Sequence, residues 1–180
     1  MTGRVIAIVG PSGVGKDTVM VGLVTACPQL RMIRRVITRA TDAGGEDFEG
    51  VSVAAFEQRL QQGAFVLHWQ AHGLHYGIPT EISHQLADGH DVLVNLSRGV
   101  LHAANAAFDH LLVLSLSATA DVLARRLAAR GREDAGEIAK RLSHADKPLP
   151  PGLERVHLDN SGALADTIDA ARRAIYPDKA

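Results

Sequence analysis

A chain of 180 residues, 46% of them hydrophobic, is long enough for one domain with a sizeable core. A formal net charge of −1 argues against a global basic field for nucleic acid or anionic membrane. No apolar run reaches the about 18 residues of a membrane span, and a lone cysteine, Cys27, excludes an internal disulfide framework. With a strand-like segment directly at the N-terminus in place of a signal peptide, these features set the expectation of a cytoplasmic protein. Positive charge is local instead, at Arg34, Arg35 and Arg39 and at Arg125, Arg126, Arg130 and Arg132.

The run RVIAIVG (4–10) is short, β-branched and stopped by glycine, as a buried parallel strand would be. A helix follows over 14–30 until Pro28 breaks it, and RMIRRVI (31–37) reads as a second strand. Turn residues fill 41–50. Ser52 caps a helix that Gly63 stops, and 64–77 suggests two short strands turning at Gly73. Residues 79–89 read as a helix with Pro79 at its start and Gly89 at its end. Strands are predicted at 91–97, 110–117 and 153–160. Between and after them come helices at 98–108, 119–131 and 162–176, a charged segment turning helical at 132–145 and a loop at 147–152. Strands that alternate with helices predict an α/β fold, a parallel sheet covered by helices on both faces.

The chemistry begins at GPSGVGKDT: Gly10, Pro11, Ser12, Gly13, Val14, Gly15, Lys16, Asp17 and Thr18. The glycines let a loop turn its backbone N–H groups onto phosphate oxygens, and the following helix presents its positive end to the same anion. Lys16 adds a point charge that reaches the transferring phosphoryl group. A strand runs into the loop and a helix runs out, as this motif requires. The loop by itself predicts a bound nucleoside triphosphate and names no acceptor. The residue after the lysine is usually Ser or Thr, whose hydroxyl ligates magnesium, and here it is Asp17. A carboxylate there can hold magnesium directly or through a water, or serve only as a first-turn helix acid.

GPSGVGK (10–16), TR (38–39), FEQRLQQGAF (56–65), HYG (75–77), RLAARGRE (126–133) and KRL (140–142) give the chain a resemblance to the guanylate-kinase-like branch of P-loop kinases. The resemblance implies an ATP-holding core over about 1–35 and 91–180. It implies an acceptor-binding insert at about 36–90 and an arginine-bearing lid at about 131–140. The departures from that branch concern the base. Guanylate kinases read guanine with a Glu where Leu67 stands, a Ser or Thr where Ile78 stands, and an Asp where Asn95 stands. A phosphate-binding Ser and Tyr of that family fall at Arg35 and Phe48. Losing buried base-reading groups carries a large cost in discrimination, so guanine is not the expected acceptor.

GPSGVGKD, LHWQAHGLHYGIP (67–79), DVLVNLSR (91–98) and DNSG (159–162) resemble the ribose 1,5-bisphosphate phosphokinase family. That resemblance implies transfer of the γ-phosphate of ATP to the 1-phosphate of ribose 1,5-bisphosphate, giving 5-phosphoribosyl 1-diphosphate, in phosphonate breakdown. It implies magnesium as cofactor and two small-molecule substrates, ATP and a phosphorylated sugar, with no nucleic-acid or membrane partner; the oligomeric state is left open. Lys16 and magnesium are expected to hold the donor phosphates, with Asn160 near the adenine. Arg39 is expected on acceptor phosphate with Arg35 assisting, alongside His68, His72, His75 and Tyr76. Arg130, Arg132 and Arg141 would close from the lid onto the γ-phosphate. The competing expectations are a nucleoside monophosphate kinase with altered base choice and a non-catalytic guanylate-kinase-like binding module. Such modules usually lose the loop lysine or the lid arginines, and both are present here.

Overall fold

A computed structural model describes residues 2–41, 46–129, 136 and 148–177. Apart from Gly136, the expected lid and the helix expected over 132–145 lie outside the described residues.

The core is a five-stranded parallel sheet of β1 (Val5–Val9), β2 (Leu30–Met32), β7 (Asp91–Asn95), β8 (Leu111–Ser117) and β9 (Arg155–Asp159), in the order β2-β7-β1-β8-β9. β1 is central and its five side chains are all buried, because both sheet faces are covered. Each buried Val or Ile there contributes about 1.5–3 kcal/mol of transfer free energy. One face carries α1 (Lys16–Ala26), α5 (Ala120–Ala129) and α6 (Leu164–Ile175), which bury Val19, Leu23, Leu123, Ala171 and Ile175 against Ile6, Ile8 and Leu114. The other face carries α3 (Glu81–Ala87) and α4 (Leu101–Ala107), through Ile82, Leu101 and Ala104.

A second sheet stands beside the first. It is formed by β3 (Arg35–Ile37), β4 (Phe48–Gly50), β5 (Phe65–Ala71) and β6 (Leu74–Pro79), in the order β4-β3-β6-β5. β5 and β6 form a hairpin whose turn residues His72 and Gly73 have φ of 53° and 73°, the left-handed geometry that tight hairpins need. α2 (Val53–Gln61) starts at Ser52, whose hydroxyl accepts from the Ala55 N–H, and covers the outer face with Phe56 stacked on Phe65 at 4.6 Å. Gly77 is required beneath this stack, since a Cβ there would lie 2.6 Å from the Phe65 ring. The inner face presents Leu67 and Ile78, which join the same apolar cluster as Val92, Val94 and Leu101 of the core.

Four sequence expectations change here. The run 31–37 is two strands: Leu30–Met32 pairs with β7 in the core, and Arg35–Ile37 pairs with β4 and β6 in the second sheet. Residues 48–50, expected as turn, form edge strand β4. Pro79 ends β6 and does not start α3, whose N-cap is Thr80. α3 itself, grouped by sequence with the insert, packs on β7 of the core and accepts the Gly3 N–H at the Leu86 carbonyl, 2.8 Å away.

Candidate active site

β1 and β7 end side by side, with Ile8 opposite Asn95, and the phosphate loop leaves β1 at Gly10. Gly15 caps α1 in the left-handed region at φ 95°. A Cβ at that position would also sit 2.8 Å from the Asn160 amide nitrogen, so both backbone and space demand glycine. The Lys16 ammonium donates to the Gly10 and Pro11 carbonyls at 3.0 and 3.1 Å. The loop is held from beneath at the Val14 carbonyl, which accepts from Asn160 Nδ2 at 2.7 Å and from Arg126 Nη1 at 3.1 Å. Asn160 is 2% exposed and is fixed in turn by Thr167, whose hydroxyl donates to its Oδ1 at 2.8 Å. Arg126 also donates to the Asn160 carbonyl at 2.9 Å.

On the acceptor side, Arg35 lies against the Tyr76 ring at 5.0 Å and the Trp69 ring at 5.8 Å, and those two rings stack 5.3 Å apart. Its guanidinium makes a two-point ion pair with Glu46, whose Oε2 also accepts from Asn95 Nδ2 at 3.2 Å. Arg39 stacks on Phe48 at 4.3 Å. A pocket of about 470 Å³ opens beside the C-terminal ends of β1 and β8, bordered by Gly10, Pro11, Arg98 and Ser117 and by Arg155 and His157 from the first half of β9. Lys16 therefore reaches, through Gly10 and Pro11, to the edge of a basic pocket.

A guanylate kinase family model matches residues 2–155. A ribose 1,5-bisphosphate phosphokinase PhnN from Ruegeria sp. (strain TM1040) is 54% identical over 179 residues, covering 99% of this chain and 94% of that one. The chain belongs to the ribose 1,5-bisphosphate phosphokinase family. A second member, from Azotobacter vinelandii, is 46% identical over 97% of both chains. The fold is that of guanylate kinase: a crystal structure of the enzyme from Anaplasma phagocytophilum matches 97% of this chain and 85% of that one with a TM-score of 0.71, at 17% identity.

In this family member the structure separates residues that the sequence lists together. Arg35, Ile37, Trp69, Tyr76 and Ile78 share the inner face of the second sheet, by register and by ring contacts. His68 and His75 fall on the opposite face, where the His75 ring lies 5.4 Å from Phe56 and contacts Gln70. His72 sits in the exposed hairpin turn. The three histidines thus form no group with Arg35 and Tyr76, and no cluster of three or more metal-ligating side chains occurs among the described residues. Asp17 stands in the first turn of α1 next to Lys16, with Thr18 exposed. Arg130, Arg132 and Arg141 lie outside the described residues.

Sequence reasoning assigned no role to Glu46, Arg98, Arg155 and His157. Glu46 lay in a stretch read as polar turn, and only its partner Arg35 signals it. Arg126, counted by sequence with the arginines on the lid side, reaches the loop across 112 positions of sequence. Arg155 and His157 alternate along β9 on the face opposite Val156 and Leu158, a period-two signal that was available.

Proposed function

We propose that this kinase transfers the γ-phosphoryl group of ATP to the 1-phosphate of ribose 1,5-bisphosphate, giving 5-phosphoribosyl 1-diphosphate and ADP. The observation that carries this reading is the closure of the base pocket. Leu67 is 6% exposed and Ile78 is fully buried, both inside the shared core cluster. Aliphatic groups packed there offer no partner to a base edge. The 54% and 46% identical relatives, each a ribose 1,5-bisphosphate phosphokinase by name, support the same acceptor.

An oxygen of the 1-phosphate attacks the γ-phosphorus as the bond from that phosphorus to the β,γ-bridging oxygen breaks, and ADP departs with the electron pair. The acceptor is an anion at neutral pH, so no strong general base is needed. The protein's task is to align two polyanions and offset their repulsion. Lys16 swings from the Gly10 and Pro11 carbonyls onto the donor phosphates. Arg39, with the basic pocket of Arg98, Arg155 and His157, supplies cations for acceptor phosphate. Arg130, Arg132 and Arg141 would supply further positive charge to the γ-phosphate. Tyr76 borders the acceptor. Asp17, an oxygen donor beside Lys16 at the head of α1, fits magnesium, which favours one or two carboxylates with waters and phosphates. Asp17 would hold the ion directly or through a water. When bound, magnesium neutralises charge on the β- and γ-phosphates.

The test offers ATP and magnesium with ribose 1,5-bisphosphate, GMP, AMP and UMP in separate reactions. Turnover of the sugar at least 100-fold above any nucleotide is expected on the scale of a lost base-reading contact. GMP phosphorylated as fast as the sugar overturns the assignment.

A further inference from the structure

We infer that Arg35, Glu46 and Asn95 together read the hydroxyl groups of the acceptor's ribose, with Glu46 setting the preference for a ribosyl over a 2-deoxyribosyl bisphosphate. This rests on the acceptor proposed above and adds the basis of its sugar specificity.

The argument starts from what Arg35 is already doing. A phosphate-binding arginine offers its forked donors to the anion. Here Nε donates to Glu46 Oε2 at 3.0 Å and Nη2 donates to Glu46 Oε1, so the fork is taken by a carboxylate. Arg35 and Glu46 side chains are only 11% and 14% exposed, which keeps this pair poorly screened. Its net charge is zero, and an approaching phosphate meets the carboxylate as well as the guanidinium. The pair is therefore a poor phosphate cradle, a task left to Arg39 and to the pocket of Arg98, Arg155 and His157.

What the cluster does offer is matched to hydroxyls. Among the described residues Glu46 Oε1 accepts only from Arg35, and the Asn95 carboxamide oxygen accepts no bond. Glu46 Oε2 already takes two donors, from Arg35 and Asn95, which orients the carboxylate. Two oxygen acceptors thus stand close together for two O–H donors, while the remaining guanidinium N–H groups can donate to the hydroxyl oxygens. Stacking on Tyr76 and Trp69 stiffens the array before any ligand arrives. Its place also suits the chemistry: Asn95 lies opposite Ile8, two residues before the phosphate loop begins. A sugar ring seated there keeps a phosphate substituent within reach of the loop.

The experiment compares kcat/KM for ribose 1,5-bisphosphate and 2-deoxyribose 1,5-bisphosphate at saturating ATP, in the wild type, Glu46→Gln and Glu46→Asp. The wild type is expected to favour the ribosyl compound by about 100-fold or more. Glu46→Gln keeps the shape and removes the charge. It should shrink that preference roughly tenfold through a higher KM for the ribosyl compound, with the KM for ATP unchanged. Glu46→Asp, shorter by one methylene and still charged, should fall between the two, and thermal melts show whether each variant folds. A preference that survives both substitutions, with both sugars slowed alike, makes Glu46 only a strap between sheets and overturns the inference. Equal use of both sugars by the wild type overturns it as well and leaves the acceptor assignment standing. Turnover of neither sugar overturns the two readings together.

Discussion

At the scale of the residue, one position departs from the common phosphate loop. Asp17 stands where a hydroxyl usually meets magnesium, in the first turn of a helix that also favours an acid. The two roles separate in Asp17→Asn, which keeps the shape and removes the charge. We predict a raised magnesium requirement at saturating ATP and a slower rate, measured by magnesium titration of initial rates; an unchanged titration would leave Asp17 a first-turn helix acid only. Leu67 and Ile78 argue in the opposite direction, as groups whose chemistry is to be inert. Leu67→Ala should cost about 2–5 kcal/mol in denaturant unfolding, as a truncated core leucine does. It should bring no GMP kinase activity, because space alone supplies no hydrogen-bond partner for a base.

At the scale of the element, the phosphate loop is only as well placed as the strand end and helices beneath it. The Val14 carbonyl is gripped by Asn160 from the end of β9 and by Arg126 from α5, and Thr167 of α6 locks Asn160. Asn160→Ala should destabilise the protein by about 1–3 kcal/mol and raise the KM for ATP, with the KM for the sugar little changed. Thermal melts and steady-state kinetics check both parts. Much of this layout was readable beforehand. The loop, its flanking strand and helix, and the hairpin at Gly73 follow from local rules of glycine placement and periodicity. The break within 31–37 does not, because the apolar pattern continues while the strand changes partners between two sheets. β4 was hidden by its three-residue length and polar surroundings. The histidines looked gathered with Tyr76 because they are close in sequence; strand alternation turns His68 and His75 to the face opposite Trp69 and Tyr76, and His72 falls in the turn. Glu46 shows its role only through contacts 11 and 49 positions away, which no local pattern carries.

At the scale of the whole molecule, the candidate site lies toward the C-terminal ends of the core strands, and stability is reinforced at the other end. There Arg4 donates to Asp91 through its backbone N–H at 2.8 Å and its guanidinium at 2.7 Å, and also to the Ile175 carbonyl at 2.9 Å. This ties β1, β7 and α6 together. Burial pushes the Asp91 carboxyl upward, and the bonds from Arg4 outweigh it, so the group sits below the ordinary carboxylate range. A carboxyl lowered in the folded state stabilises above its unfolded value, near pH 4, and that contribution fades as pH falls through the folded value. Asp91→Asn should cost about 1–2 kcal/mol at neutral pH, and the gap to wild type should narrow below pH 4 in pH-dependent melts. The central claim joins both ends of the molecule: a guanylate kinase frame whose base pocket is filled with core now serves a doubly phosphorylated sugar. It is tested most directly by incubating the protein with ATP, magnesium and an equimolar mixture of ribose 1,5-bisphosphate and GMP, and resolving the products by phosphorus NMR. The account predicts the diphosphate signals of 5-phosphoribosyl 1-diphosphate growing with ADP while GMP persists; GDP formed as fast as the sugar product would contradict it.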